Sequence, residues 1–439
     1  MRKTAVIVVG AGASGLMAAA SAARPLTQRK APGGVLVLEA GKKPGRKLLA
    51  TGNGRCNLSN REIAAAHYHG DTSAAFSLLQ TYPAGEARRT FEQMGLATLE
   101  DGAGRIYPRG EQAAAVLQTL LTQCRRWGAE ILCEQKAECL HQENGQWVVT
   151  AQEEAFAAPC VIVASGSPAA PQLGGSDSGR ALLAPFHLTA APFFPGLCPV
   201  RAAGQRLSAL KGMRSKGTVR LLADGGEVAR ESGEIQFTGE GLSGICVFQL
   251  SRWVSEWESS GTVRGKKRKN LAFSLDLLPE MTEEEVFAHL LQRCRLLPQE
   301  PAADLLSGLL NLRVGQEICR SALDGSGKEP KKNAACRKEE LWLTAKTAKD
   351  WRFVIKGTGG WEQAQVACGG VKMENAAPHS LEIAGRPGLF LAGELWNVDG
   401  DCGGFNLHWA FLSGKTAGMA AARRAAGLLL PKKKEGRKT

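Results

Sequence analysis

Three glycines near the start of the chain, Gly10, Gly12 and Gly15, constrain its fold more than any other feature. They follow the apolar run Ala5-Val-Ile-Val-Val9, which reads as a strand, and precede a helix-like stretch through Ala13 and Ser14. A second apolar run, Val35-Leu-Val-Leu38, ends on an acid, Glu39. Strand, glycine turn, helix, strand and carboxylate in this order make the dinucleotide-binding fingerprint in its required context. Gly10 permits the tight turn, Gly12 lets the backbone approach a pyrophosphate, and Gly15 lets the helix pack on the sheet. The helix N-terminus offers N–H groups and partial positive charge to phosphates. Glu39 is placed to bond ribose hydroxyls, and its charge excludes the 2′-phosphate of NADP. A signal peptide or membrane anchor does not fit, because glycines interrupt an apolar stretch too short to span a bilayer.

A chain of 439 residues has room for two or three domains, and 44% hydrophobic with 22% charged residues is a globular balance. The 12 cysteines form no C-x-x-C pair and no zinc-like cluster. They read as reduced thiols of a cytoplasmic protein, with no metal site. The net charge of +13 favours anionic partners: a nucleotide, RNA or an acidic substrate. Part of it sits in Lys266-Lys-Arg-Lys269, in Lys331-Lys332 and in a basic tail, 429–439, read as disordered.

The texture of the chain changes twice. Residues 1–189 alternate helix and strand signals, with helices over 86–95 and 111–127. A hairpin turns at Glu143-Asn-Gly145, and a buried strand runs to Ser165-Gly166. Segments over 190–275 alternate like antiparallel strands, 276–340 reads as helical, and 341–365 as a returning strand. The α/β texture resumes over 366–428, with a final helix from about 404 to 426. These signals predict an α/β, Rossmann-like domain built from both chain ends around an inserted β unit. A second G-x-G-x-x-G, Gly239 to Gly244, lacks an acid-terminated strand after it and reads as a coincidental turn.

The loop Gly41-Lys-Lys-Pro-Gly-Arg-Lys47-Leu-Leu-Ala-Thr-Gly52-Asn53-Gly54-Arg55-Cys56-Asn57 and the segment Gly400-Asp-Cys-Gly403-Gly404-Phe405-Asn406-Leu-His408 resemble the BaiN/RdsA family of bacterial flavoproteins. Further matches, such as Gly104-Arg-Ile-Tyr-Pro108 and Gly369-Gly-Val371, extend the resemblance over nearly the whole chain. It implies a two-dinucleotide-binding-type FAD domain, interrupted by a β-barrel-like insert and a small helical domain. It implies that Gly393, Glu394 and Asp399 approach the FAD ribityl and pyrophosphate. Gly403, Gly404, Phe405 and Asn406 would open the last helix toward the isoalloxazine, and Gly52, Asn53, Gly54 and Asn57 would line its other side. Lys47 would offset phosphate charge, and Ala13, Ser14, Ala137, Ser165 and Gly166 complete the implied cofactor contacts. The chain departs from the family pattern at Ser165, Asn397 and Cys402.

The resemblance also implies NAD(P)H-driven reduction of a C=C bond conjugated to a carbonyl. The substrate would be a 3-oxo bile-acid steroid or, alternatively, a uracil of ribosomal RNA, with no membrane and no stable protein partner. A flavin-bearing redox sensor without turnover is a reading of another class, and amine oxidation a further one. Hydride addition to an enone requires a donor for the carbonyl and an acid for the carbon. Cys56, Tyr107 and His408 are the candidates, with Arg55 as an alternative.

Overall fold

The computed structural model describes residues 1–203, 207–323, 332–377 and 379–429. Lys331 and the tail beyond Leu429 therefore lie outside the described residues. The chain divides into two units, Met1–Phe193 with the segment from Val366 onward, and Phe194–Gln365.

The first unit is organised by Val6–Val9 (β1), Ala13–Gln28 (α1) and Val35–Leu38 (β2). Its other framework elements are Tyr68–Gly70 (β3), Ala113–Arg126 (α2), Ala129–Leu132 (β4), Cys160–Val163 (β5), Leu389–Leu391 (β6), Val398–Gly400 (β7) and Phe405–Leu429 (α3). Five strands form a parallel sheet in the order β6-β5-β1-β2-β4. Every residue of β1, β2, β5 and β6 is buried, which explains their unbroken apolar sequences: helices and loops cover both faces. A meander of Ala137–Glu143, Gln146–Ala151 and Glu154–Ala158 adjoins this sheet, turning at Asn144-Gly145, both in the left-handed region.

Helices α1 and α3 pack backbone to backbone. A Cβ added to Gly414 would run into the Ser14 carbonyl oxygen, and one added to Gly418 into that of Ala18. Gly418→Leu is therefore expected to cost about 2 kcal/mol through overpacking. Gly427→Ala, on the same helix with open space around it, should gain about 0.5 kcal/mol. Denaturant unfolding of the pair checks this. Equal midpoints for the two variants would contradict the close packing.

The second unit is a closed antiparallel barrel. Its strands run Val200–Ala203, Gly241–Ser243, Gly226–Phe237, Arg214–Ala223, Leu271–Asp276 and Trp351–Thr358, and the last returns to pair with the first. Alternation along these strands sends Val219, Leu221, Ile235, Phe237, Phe273, Leu275, Phe353 and Ile355 into a core shared with the unit's helices. The glycines at 239–244 belong to this barrel. A Cβ on Gly241 would strike the Val200 carbonyl oxygen, so that glycine serves close strand pairing and not a phosphate. One boundary needs correction. The segment 341–365 is not simply a returning strand, because Lys338–Lys349 is helical and only Trp351–Thr358 is extended. Glu340 caps that helix by accepting from the Arg337 backbone N–H at 2.9 Å. Among the described residues no helix is long and apolar enough to cross a membrane.

Candidate functional site

The three glycines of the first turn do three different jobs. Gly10 has φ +102°, and a Cβ there would lie 2.6 Å from the Ala164 carbonyl oxygen. A Cβ on Gly15 would collide with the Gly10 carbonyl oxygen. Gly12 has nothing within 4 Å of its Cβ position, so the space before α1 is open at that residue. Helix α1 starts at Gly12 with no side-chain cap and no acid in its first turn. Its leading N–H groups thus face this space without a side-chain acceptor, the arrangement an anion satisfies.

Glu39 closes the loop behind the turn. Its Oε2 accepts from the Ala11 N–H at 2.8 Å and its Oε1 from the Gly41 N–H at 2.7 Å. A carboxylate has about four lone-pair sites, so these two bonds orient the group and leave capacity for hydroxyls. The Gln135 N–H donates to the Glu39 carbonyl at 2.8 Å, which brings the strand opening at Ala137 toward the end of β2.

At the neighbouring strand end, the Ser165 hydroxyl is buried and finds no hydrogen-bond partner among the described residues, and Gly166 is left-handed. Ser14 lies against Gly393, whose left-handed backbone (φ +74°) would put a Cβ 2.5 Å from the Ser14 hydroxyl. The Ser413 hydroxyl accepts from the Gly393 N–H at 2.9 Å. The Lys47 ammonium is bonded to Glu394 at 2.8 Å, and Ser167 donates to the same carboxylate oxygen at 3.1 Å. Its charge is paired within the protein.

The other end of the site is built on strained backbone. Gly52, Asn53, Gly54 and Cys56 all have φ between 55° and 83°. This folds the segment back toward the start of α3. A Cβ on Gly404 would sit 2.6 Å from the Asn57 Oδ1, a buried oxygen without a partner among the described residues. Asn60 donates to the Gly403 carbonyl at 2.9 Å. Asp399 is buried in β7 and accepts from the Cys368 thiol at 3.4 Å. Asn406 does not present its amide outward. It accepts from the Gly400 N–H at 2.8 Å and donates to the Gly400 carbonyl at 2.6 Å, so it clamps the entry to α3.

Two acid candidates are fully buried. Cys56 is fully buried, and desolvation pushes its thiol up to about 12. It packs the loop and stays protonated. Near neutral pH, iodoacetamide should leave Cys56 unmodified in the native protein and alkylate the exposed Cys139. Peptide mass mapping checks this, and rapid labelling of Cys56 would contradict the burial. His408 is fully buried as well, with its Nδ1 2.8 Å from the Ser59 hydroxyl, and it joins α3 to the 59–60 strand. Tyr107 is also enclosed, in the strand Arg105–Pro108 beneath the Arg55 guanidinium at 4.4 Å. Arg55 itself pairs with Glu111 at 2.7 Å.

Sequence reasoning passed over a cluster beside the start of α3. His67 Nδ1 donates to Asp401 Oδ2 and His69 Nε2 to Asp401 Oδ1, each at 3.0 Å. An ionised carboxylate only accepts, which fixes both donors. The strand β3 pairs antiparallel with β7, and the Asp401 N–H donates to the His67 carbonyl at 2.9 Å. The His67 ring stacks on Phe405 with centroids 4.4 Å apart, and Tyr68 meets Phe405 edge-on. The available signal was the His67-x-His69 spacing: His67 ends the 3-10 turn Ala65–His67, His69 lies in β3, and both rings reach Asp401.

Comparison with known proteins is consistent with this geometry. The profile of the HI0933-like protein Rossmann domain matches residues 4–420. The chain is 35% identical to the 3-dehydro-bile acid delta(4,6)-reductase of Clostridium scindens, over 95% of this chain and 98% of that protein. It is 26% identical to the ribosomal RNA dihydrouridine synthase of Haemophilus influenzae, over 95% and 98% of the two chains. Among solved structures, the 3-ketosteroid delta1-dehydrogenase of Sterolibacterium denitrificans shares the fold. The TM-score is 0.50 at 13% identity, covering 97% of this chain and 100% of that one.

Proposed function

Because the chain belongs to the HI0933-like Rossmann family, we propose that it is an FAD-dependent oxidoreductase that reduces a C=C bond conjugated to a carbonyl. Its proposed substrate is a 3-oxo steroid of the bile-acid type, with NADH or NADPH as electron donor. The observation that carries this reading is the open, uncapped helix start after the Gly10–Gly15 turn, in a chain similar along its whole length to a bile-acid reductase.

The residues present fit FAD. Gly12 and the uncapped start of α1 suit its pyrophosphate, and Glu39 suits its ribose. The orphaned Ser165 hydroxyl and Asn57 Oδ1 are buried polar atoms that a bound dinucleotide would satisfy. When bound, FAD supplies the hydride. The protein supplies position and charge. Gly403 and Gly404 let the 57–60 segment approach the start of α3, and that helix end favours negative charge beside it.

The test is spectroscopic. Under anaerobic conditions NADH or NADPH should bleach the bound flavin, and a 3-oxo-4,6-diene bile acid should restore its absorbance. A second reading, reduction of uracil in ribosomal RNA, draws on the exposed hairpin at Lys266–Lys267, beside Arg264 stacked 4.7 Å from Trp253. Flavin that ignores the dienone but is reoxidised by an unmodified ribosomal RNA fragment would replace the steroid by RNA. Flavin that neither nucleotide reduces would replace the enzyme by a sensor.

A further inference from the structure

We propose that His67, oriented by Asp401, is the proton donor to the substrate in this reduction. The inference rests on the reductase reading above. Four observations carry it. The ring lies flat on Phe405, the first residue of α3, beside the glycines Gly403 and Gly404. Its Nδ1 is committed to Asp401, so protonation places the second proton on Nε2, the nitrogen remote from the carboxylate. The side chain is about one-third exposed (34%), so water can restore the proton after each turnover. Asp401 bridges two imidazoles, so the negative charge that stabilises the His67 imidazolium is itself held in place by His69.

Burial alone would raise the Asp401 carboxyl, but the bonds from His69 and His67 outweigh it and hold the carboxyl below its usual range. The group is therefore ionised near neutral pH. The ionisable groups gathered here are His69 and Tyr68 on the His67 segment, and Asp399, Asp401 and Cys402 on β7 and the turn that follows. The Tyr68 hydroxyl donates to the Phe405 carbonyl at 3.2 Å, and burial raises it further, so it carries no charge near neutral pH. His69 offers its Nε2 to the carboxylate, which assigns it to bracing the pair.

The chemistry balances. A hydride adds to the substrate β-carbon, and the C=C electron pair shifts to give an enolate. The Nε2 proton of His67 then closes the α-carbon, leaving a saturated ketone and a neutral imidazole. Water returns the proton to His67. A positioned general acid of this kind contributes about 10²- to 10⁴-fold.

The experiment uses the full-length flavoprotein and the variants His67→Gln and Asp401→Asn. Reoxidation of the reduced flavin by the dienone is followed across pH, and the histidines are titrated by NMR in the oxidised holoprotein. His67→Gln should slow reoxidation by about 100-fold, with reduction by NAD(P)H unchanged. The alkaline limb of reoxidation should follow the His67 titration in the wild type and in Asp401→Asn alike. If His67→Gln reoxidises at the wild-type rate, or if the limb stays fixed while the His67 titration moves, the assignment is wrong. If His67→Gln loses its flavin, the limb of Asp401→Asn alone decides. If the wild type itself ignores the dienone, the reductase reading and the assignment fall together, which separates that outcome from failure of His67 alone.

Discussion

Gly12→Asp is expected to fold normally and to lose FAD. Gly12 has φ −81° and ψ −168°, a backbone any residue adopts, and its Cβ position meets no atom within 4 Å. An aspartate there becomes a side-chain cap for α1, which has none, and such a cap is favourable by a few tenths of a kcal/mol over glycine. The same carboxylate occupies the anion site. Two like charges about 4 Å apart at an effective dielectric near 20 repel by about 4 kcal/mol, or about 10³-fold in affinity. The purified variant should therefore be colourless, with a melting temperature at or above that of the flavin-free wild type. Flavin absorbance measured against protein concentration, together with thermal unfolding, checks both halves. A yellow, stoichiometric Gly12→Asp protein would mean that the phosphates lie elsewhere. Gly15→Val makes the contrast. Its side chain has no room against the Gly10 carbonyl, so the fold itself should fail.

The second large effect is on stability in acid. Burial lowers His408 from 6.5 to about 4, with a backbone interaction at Tyr82 offsetting part of the shift. The folded state disfavours the charged ring, so the unfolded chain takes up the proton first as pH falls. This contribution to stability is complete above about pH 6.5, declines through the window down to about 4, and is then level. A shift of that size corresponds to about 3 kcal/mol. His408→Gln loses the bond to Ser59 and is less stable at neutral pH, but it has no ring to protonate. Its deficit relative to wild type should shrink by about 3 kcal/mol between pH 7 and pH 4. Denaturant midpoints across that range are the measurement. A constant deficit would show that the ring is not held neutral.

These two residues divide the legible from the illegible. The close packing at Gly10 and Gly15 in the first turn was readable from spacing, because strand, turn and helix are adjacent and their constraints are local. His408 was readable only as a residue type. Its neutrality comes from a core assembled with Ser59 and Tyr82, hundreds of residues earlier in the chain. The burial of Cys56 was illegible for the same reason: a flanking motif does not report how deeply its loop is buried. Lys47 pairs with Glu394, and Asn406 with its own helix entry, so both are engaged by the protein itself.

The sequence by itself determined the parallel nucleotide-binding sheet, the hairpin at Asn144-Gly145 and the presence of an antiparallel insert. Each follows from periodicity and turn chemistry within a few residues. The tertiary structure decided that the insert closes into a barrel, because closure depends on Val200–Ala203 meeting Trp351–Thr358. It also decided which titratable side chains stand together. His67 and Asp401 are 334 residues apart, and only the pairing of β3 with β7 brings them within a hydrogen bond. Burial and long-range pairing set charge and reach, and neither is encoded in local spacing.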